Sequence, residues 1–459
     1  VPPPGTIIEY DGFLGAIPSY ERRTQEVFSG QSFPAYGRLI LLNHRGTFDE
    51  IFSRKWTKDQ PIRIRLGGPA NQIRYANFGT IVSGIMGPQR LTDRRIEIPV
   101  FDDQKKLRRR IPSAVFTKAA QGVNFPDSAE GSFKRIIYGE VHNYSPLLIN
   151  TATLKYHVAN HALQAIGTIY DNSISITNNA TIDLNDGSFT LNSRPQGQVT
   201  CDVLGRKTHA GTYTDRVIGL VESLLIQEAG YATNSFDQTS LQQAKSDINY
   251  KAGIVIDNQK EILVIIDELI AGLLVFYGHN RTGAFEIQKF TPPSGSPKLT
   301  FTDDDLEIGT AGSDDIEIIY DNPRWRVQLG FDNNETEQQN ESSVAGSVSE
   351  NRRSYVQKPF RTVIAEDTTV RDFFQYAEEE ELIVTRLINR ADTQTAANDR
   401  LAQLKGDHRQ VSAPFGIQPA ILDLGHTVQF DRRRYNVSGK FKVSGIRETE
   451  QGIHLDLYQ

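Results

Sequence analysis

The sequence predicts a mainly β protein with α+β insertions: two β-barrel domains toward the chain ends, a β-rich inserted module and a small α/β domain. Three observations carry this. Short β-branched and aromatic runs, punctuated by Gly, Pro and Asn, fill residues 1–118 and return over 406–459. A polar-turned β pattern without helical period covers roughly 137–206. Helical spacing is concentrated in 212–272 and again around 366–405. The expected units are therefore a barrel over 1–118, the module over 119–206, the α/β domain over 207–297, and a second barrel over 298–459 with its helical insertion at 366–405.

Each element follows from local chemistry. "PIRIRLGG" alternates Ile62, Ile64 and Leu66 with Arg63 and Arg65, and "RRIEIPVFDD" puts Ile96, Ile98 and Val100 on one side. Both read as strands with one buried face. "KKLRRR", Lys105 to Arg110, closes this region as a solvated loop or edge, or else as a basic rim facing protein or a lumen. The Gly, Pro and Ser of "AAQGVNFPDSAEGS" suggest a long connection. In "YDNSISITNNATIDLNDGSFTLNSRPQGQVTCDV", residues 170–203, strands of Ile and Thr alternate with Asn, Asp and Gly turns. Over 212–230, Val217, Leu220, Val221, Leu224 and Leu225 recur at helical spacing, with Thr214 or Asp215 as N-cap and Gly230 at the C-terminal stop. "EILVIIDELIAG" reads as a helix ending at Gly272, followed by a hairpin, "LLVFY–GHNRTG–AFEIQKF". Residues 335–354, rich in Glu, Gln, Asn and Ser, read as a mobile loop or polar strand. "DTTVRDFFQYAEEEELIVTRLINRA" and "ADTQTAANDRLAQLKG" read as helices.

Composition narrows the function. The 459 residues are 38% hydrophobic and 23% charged, with a net charge of −6. That gives no general basic excess for nucleic-acid binding, and no run approaches the ~18 apolar residues of a membrane span. The opening "VPPPGTIIEY" has neither the basic nor the apolar region of a signal peptide. The single cysteine, Cys201, excludes intrachain disulfides and thiolate clusters, and reads as a small strand hydrophobe. No HExxH, GxSxG or GxxxxGK[ST] motif occurs, and "RLGGPANQ" lacks the Lys-Ser/Thr pair of a phosphate loop. Asp303, Asp304, Asp305, Glu307, Asp314, Asp315 and Glu317 are dense enough to suggest calcium, but without EF-hand spacing they read better as a solvated acidic edge. His279 falls in a hairpin turn, where a structural role is expected. No catalytic, cofactor-binding or metal-binding residue is assigned, no cofactor is expected, and the chain is not expected to be an enzyme.

The closing segment carries a resemblance. "LDLGHTVQF" followed by "GKFKVSGIRETEQGIHLDL" is similar to the end of phage tail hub proteins. There a "lxxGDxV" turn leads into a strand and then a "G-K-x-(F/Y)-x-V-x-G-(I/V)" hairpin. Here the pattern falls on Leu424, Gly425, His426, Thr427 and Val428, then on Gly439, Lys440, Phe441, Val443, Gly445 and Ile446. His426 replaces the usual acid. The 140–203 module resembles one found in tail proteins of long-tailed, siphophage-like bacteriophages. The resemblance implies two tail-tube-like barrels and a structural hub of the tail tip or baseplate. Such a hub closes the tail tube and connects the distal tail ring to tip and fibre proteins during host attachment and DNA ejection. It implies a homotrimer beside a distal tail ring protein, a tape measure protein and tip or fibre proteins. DNA passes through the channel without specific binding. The implied location is the virion tail tip, after synthesis in the host cytoplasm, with Lys105–Arg110 facing protein neighbours. The alternative is a peripheral tail-associated protein that binds a carbohydrate or receptor.

Overall fold

A computed structural model describes residues 13–16, 18–24, 30–54, 58–67, 78–307, 316–339, 344–406, 408–449 and 452–459. Its strands form six sheets among these residues, and the chain is mainly β. In the N-terminal sheet, Leu14–Ala16, Arg38–Leu42, Arg95–Phe101, Gly79–Met86 and Pro61–Leu66 pair in that order. The alternation in "RRIEIPVF" does what its period requires: Ile96, Ile98 and Val100 are all buried, and Ile62 and Ile64 pack against the first two.

The other two N-terminal strands leave that sheet. Tyr20–Thr24 pairs with Gly30–Tyr36 on one side and with Val437–Thr449 on the other, where Tyr20 lies opposite Glu448 and Arg23 opposite Gly445. Gly30–Tyr36 in turn runs parallel to Val275–His279. One ten-stranded sheet thus threads Tyr20–Thr24 and Gly30–Tyr36, the central hairpin and the C-terminal strands.

The expected barrels are open sheets: none is closed among the described residues. The reason lies in Val437–Thr449, a 13-residue strand. Its first half, Val437 to Lys442, pairs with Thr427–Arg432, while its second half takes Tyr20–Thr24 on the same edge. The sheet therefore branches where a barrel would continue. At the far side Thr300–Thr302 pairs with Thr427–Arg432, and a single bridge from Leu306 to Phe415 touches the strand Arg409–Phe415 without forming a ladder. Phe301, Phe415, Phe430 and Phe441, all buried, fill the space between.

The inserted module has the expected β character. Ile136–Tyr144, Val199–Arg206 and Leu163–Asp171 pair antiparallel, and Gly253–Ile256 joins their edge from the α/β region. A second small sheet contains Ala180–Asp183 and Ser188–Leu191, joined by the "NDG" turn. The Asp183 carboxylate accepts the N–H groups of Asn185 and Asp186 at 3.1 Å, and Gly187 turns at φ +60, where a Cβ would lie 2.2 Å from the Ala159 carbonyl oxygen.

In the α/β region, helices Val217–Gln227, Gln238–Asp247 and Ile262–Ile270 pack around one core with the hairpin Val275–His279/Phe285–Lys289. The first helix starts at Val217, after both expected caps, because Asp215 is drawn to Lys251 at 3.2 Å and Thr214 accepts the Arg216 N–H.

Two segments differ from expectation. Between Glu366 and Asn389 only Thr368–Phe373 is helical, and Glu378–Glu379 and Ile383–Val384 instead lie parallel to Arg324–Phe331. Arg324, Arg326 and Arg400 pair with Glu378, Glu379 and Glu380, which neutralises a run of carboxylates that a helix would crowd. Within 335–354, Ser349 caps a helix, Glu350–Val356. The helix Arg390–Leu404 is as expected and covers Arg324–Phe331.

Candidate functional site

The densest buried chemistry lies where the ten-stranded sheet joins three distant parts of the sequence. Arg22, fully buried on Tyr20–Thr24, donates to Asp423 at 2.5 Å, to Glu286 on the central hairpin, and to the Ser32 hydroxyl at 3.1 Å. Its two carboxylate partners are 401 and 264 residues away in sequence. Arg281 adds a second cation: Nη1 lies 2.6 Å from Glu448, and the guanidinium sits 4.8 Å over the Tyr20 ring. The Arg281 N–H also donates to Asp423 at 3.3 Å.

The two carboxylates that share Arg22 differ in character. Burial pushes the Glu286 carboxyl up to about 7 against the pull of Arg22. Burial also acts on Asp423, but Arg22, Arg281 and two backbone N–H groups outweigh it and hold its carboxyl below the usual range. Beside them His279 is pushed down to about 3 by burial and by the Arg22 charge, so its ring is neutral and stacks on Tyr231. These charges and polar groups form a buried network, an ionic lock that joins three distant parts of the chain.

A second lock holds the inserted module. The Asn143 amide, fully buried, donates to Asn334 Oδ1 at 2.7 Å and the Thr336 carbonyl at 2.8 Å, and accepts from Thr200 and Arg352 at 2.8 and 2.7 Å. Next to it, burial opposes charge on His142, but hydrogen bonds to Asp332 at 2.8 Å and Glu140 at 3.2 Å outweigh it and push the ring up to about 10.

The residues singled out in the sequence are not brought together. Cys201 is fully buried, and its thiol is pushed up by that burial. Asp303 accepts the Arg433 N–H at 3.1 Å and Asp305 caps its own turn through the Thr302 N–H at 2.8 Å, which ties these acids into the sheet edge. Asp314 and Asp315 lie outside the described residues, as do Gly68–Gln72 of "RLGGPANQ". Among the described residues no three His, Cys, Asp or Glu side chains converge as a metal site. The basic run forms the short turn Asp103–Arg108 against the α/β region: Leu107 is buried, Arg109 donates to the Glu228 carbonyl at 2.8 Å, and Lys106 lies over Tyr231. Arg22, Glu286 and Asp423 carried no local signal. "YERRTQ" and "LDLGH" look like strand and turn, and only tertiary structure joins them.

Beside the ionic lock opens a groove of about 1140 Å³, walled by the strand Gly79–Met86, the helix Gln238–Asp247 and the turn Ala420–His426. No helix among the described residues is long and apolar enough to cross a membrane.

No protein-family model matches the chain, and no curated protein does. Among solved structures it is similar to a chain of the virion of a native gene transfer agent particle, with 11% identity, a TM-score of 0.46, and 78% of this chain and 91% of that chain covered. It is also similar to the 43 kDa tail protein of prophage MuSo2 from Shewanella oneidensis, with 7% identity, a TM-score of 0.39, and 98% and 92% covered. A tail protein from Neisseria meningitidis MC58 follows with 9% identity, a TM-score of 0.40, and 97% and 94% covered. The similar structures are virion and tail proteins. The likeness is remote, and no residue role is carried across from it.

Proposed function

We propose that the chain is a non-enzymatic structural hub of a phage tail tip, closing the tail tube and linking the distal tail ring to tip or fibre proteins. The observation that carries the reading is the closing hairpin. The Gly425 turn, at φ +76, leads into Thr427–Arg432, and Gly439 to Ile446 lie on the long strand that also receives Tyr20–Thr24. The segment that resembles tail hubs is therefore also where an early strand, Tyr20–Thr24, meets the late strand Val437–Thr449. Pulling the two ends of such a sheet apart shears many backbone hydrogen bonds at once, which suits a part under load during ejection.

In this reading three copies surround the tail axis, with the tape measure protein inside and the distal tail ring protein above. DNA passes through a channel that does not grip it, because a Lys/Arg lining would add salt-sensitive phosphate affinity. The run at Lys105–Arg110 faces protein neighbours. Native mass measurement of the isolated chain and a map of the particle test this: three copies at the tail tip are expected, and a monomer absent from the tip overturns it.

A further inference from the structure

At one end of the groove, two donors face the ring of His426, which as a neutral imidazole can accept from only one of them. The Asp423 N–H points at Nδ1 of His426 at 2.8 Å, and Nζ of Lys298 lies 2.8 Å from Nε2 of the same ring. A neutral imidazole has one donor and one acceptor nitrogen, and an ammonium has donors only. Whichever ring nitrogen carries the hydrogen, one donor faces another. Lys442 stands at the same turn, giving one hydrogen to the Gly425 carbonyl at 2.9 Å. Burial and the charges of Lys298, Lys442 and Arg22 push the His426 ring down to about 4 against the opposing pull of Asp423, so the imidazole supplies no further positive charge. Among the described residues neither lysine forms an ion pair, and burial lowers the Lys442 ammonium. Two cations thus converge on a turn where an oxyanion would accept from both and from the ring N–H.

We propose that this corner receives a carboxylate carried on a polypeptide of another protein, with an aliphatic neighbour of that carboxylate resting on Ile421. The groove is far larger than one anion needs, and Ile421 stands 68% exposed at its lip. A polyanion fits worse, since Asp237, Asp247, Glu286 and, at the turn itself, Asp423 line the same groove and repel successive phosphates, whereas a single carboxylate need meet only the two lysines. The inference does not depend on the tail assignment.

The test uses the full chain and a labelled peptide, Gly-Ser-Glu-Leu-Ser-Gly, followed by fluorescence anisotropy. Its Gln counterpart, inorganic phosphate and single-stranded DNA are run beside it. The Glu peptide is expected to bind about tenfold tighter than the Gln peptide, the yield of one or two charge-assisted hydrogen bonds. That preference should vanish in Lys298→Met/Lys442→Met. It should also vanish in His426→Asp, which seats a carboxylate within the corner and can still accept the Asp423 N–H. His426→Asp should keep the circular dichroism and melting of the parent, so loss of folding is separated from loss of the site. Equal binding of the two peptides overturns the proposal. So does phosphate that binds as tightly as the peptide, which marks a site for small anions, or DNA binding that the same substitutions abolish.

Discussion

Replacing Arg22 by Met should open the junction between the chain ends. The Arg22 side chain is 0% exposed, and its partners Glu286 and Asp423 are 5% and 17% exposed. Methionine fills much of the same volume, so the cost is electrostatic: two buried carboxylates lose their shared cation. Removing one partner of a buried pair costs about 3–5 kcal/mol, whereas an exposed pair contributes about 1 kcal/mol or less. The exposed Lys118–Asp127 pair, 52% and 86% exposed, is the control. A chain of this size need not unfold in one step, so the readout is local: hydrogen exchange of peptides covering Tyr20–Thr24 and Gly445–Glu448. At about 1.4 kcal/mol per tenfold, exchange there should rise on the order of 10²–10³-fold, while Leu163–Asp171 in the inserted module stays unchanged.

The pH dependence adds a signature. The Glu286 carboxyl rises to about 7 in the fold, above about 4.3 when unfolded. The native state therefore holds the extra proton between those values, and stability falls as pH rises through that window. Asp423 has the opposite sign, its contribution being present above its unfolded value and lost as pH falls below it. The Arg22→Met penalty should thus be smaller at pH 5–6, where Glu286 takes up a proton, than at pH 8. A change under tenfold at pH 8, or a penalty that grows toward pH 5, refutes the argument that charge holds this junction.

Three further outcomes follow from the same geometry. Gly139 turns at φ +70, and a Cβ there would meet the Ala252 carbonyl oxygen at 2.0 Å; Gly139→Ala should cost more than the about 1–2 kcal/mol of a left-handed residue, seen as faster exchange in Gly253–Ile256. His142, raised to about 10, contributes stability that is fully present below about 6.5 and lost as pH rises toward 10; its ring should remain protonated at pH 8 by NMR, and a ring already neutral at pH 8 contradicts the ionic lock with Asp332. Under the proposed hub role, charge reversal of Arg108, Arg109 and Arg110 should impair particle assembly and leave DNA release from assembled particles near normal, whereas normal assembly with altered release would place this run on the conduit.

What the sequence made legible, and what it did not, divides by range. Ile96, Ile98 and Val100 could be read because period two is a local property of a strand facing one core. Gly230 and Gly272 could be read because φ +74 and +77 demand a glycine; the hairpin after Gly272 forms, but its turn lies later than its residues suggest, and His279, expected in the turn, is the buried last residue of Val275–His279. The errors arise where a distant partner overrides a local preference. Glu378 to Glu380 sit in a segment with helical composition, yet three arginines, two from a strand and one from a helix, hold them extended. Strand density predicts barrels, but strand count does not determine closure. Closure depends on which edge each strand takes, and Val437–Thr449 gives part of one edge to Tyr20–Thr24. That choice also creates the ionic lock, because it brings Arg22 to Asp423. The open sheet and the buried charges are thus two consequences of one pairing: if Tyr20–Thr24 is displaced from that edge, Arg22 leaves both carboxylates. Strand exchange at this edge and loss of the lock should therefore occur as a single event, and separate transitions in the two sets of amides would show that they are independent.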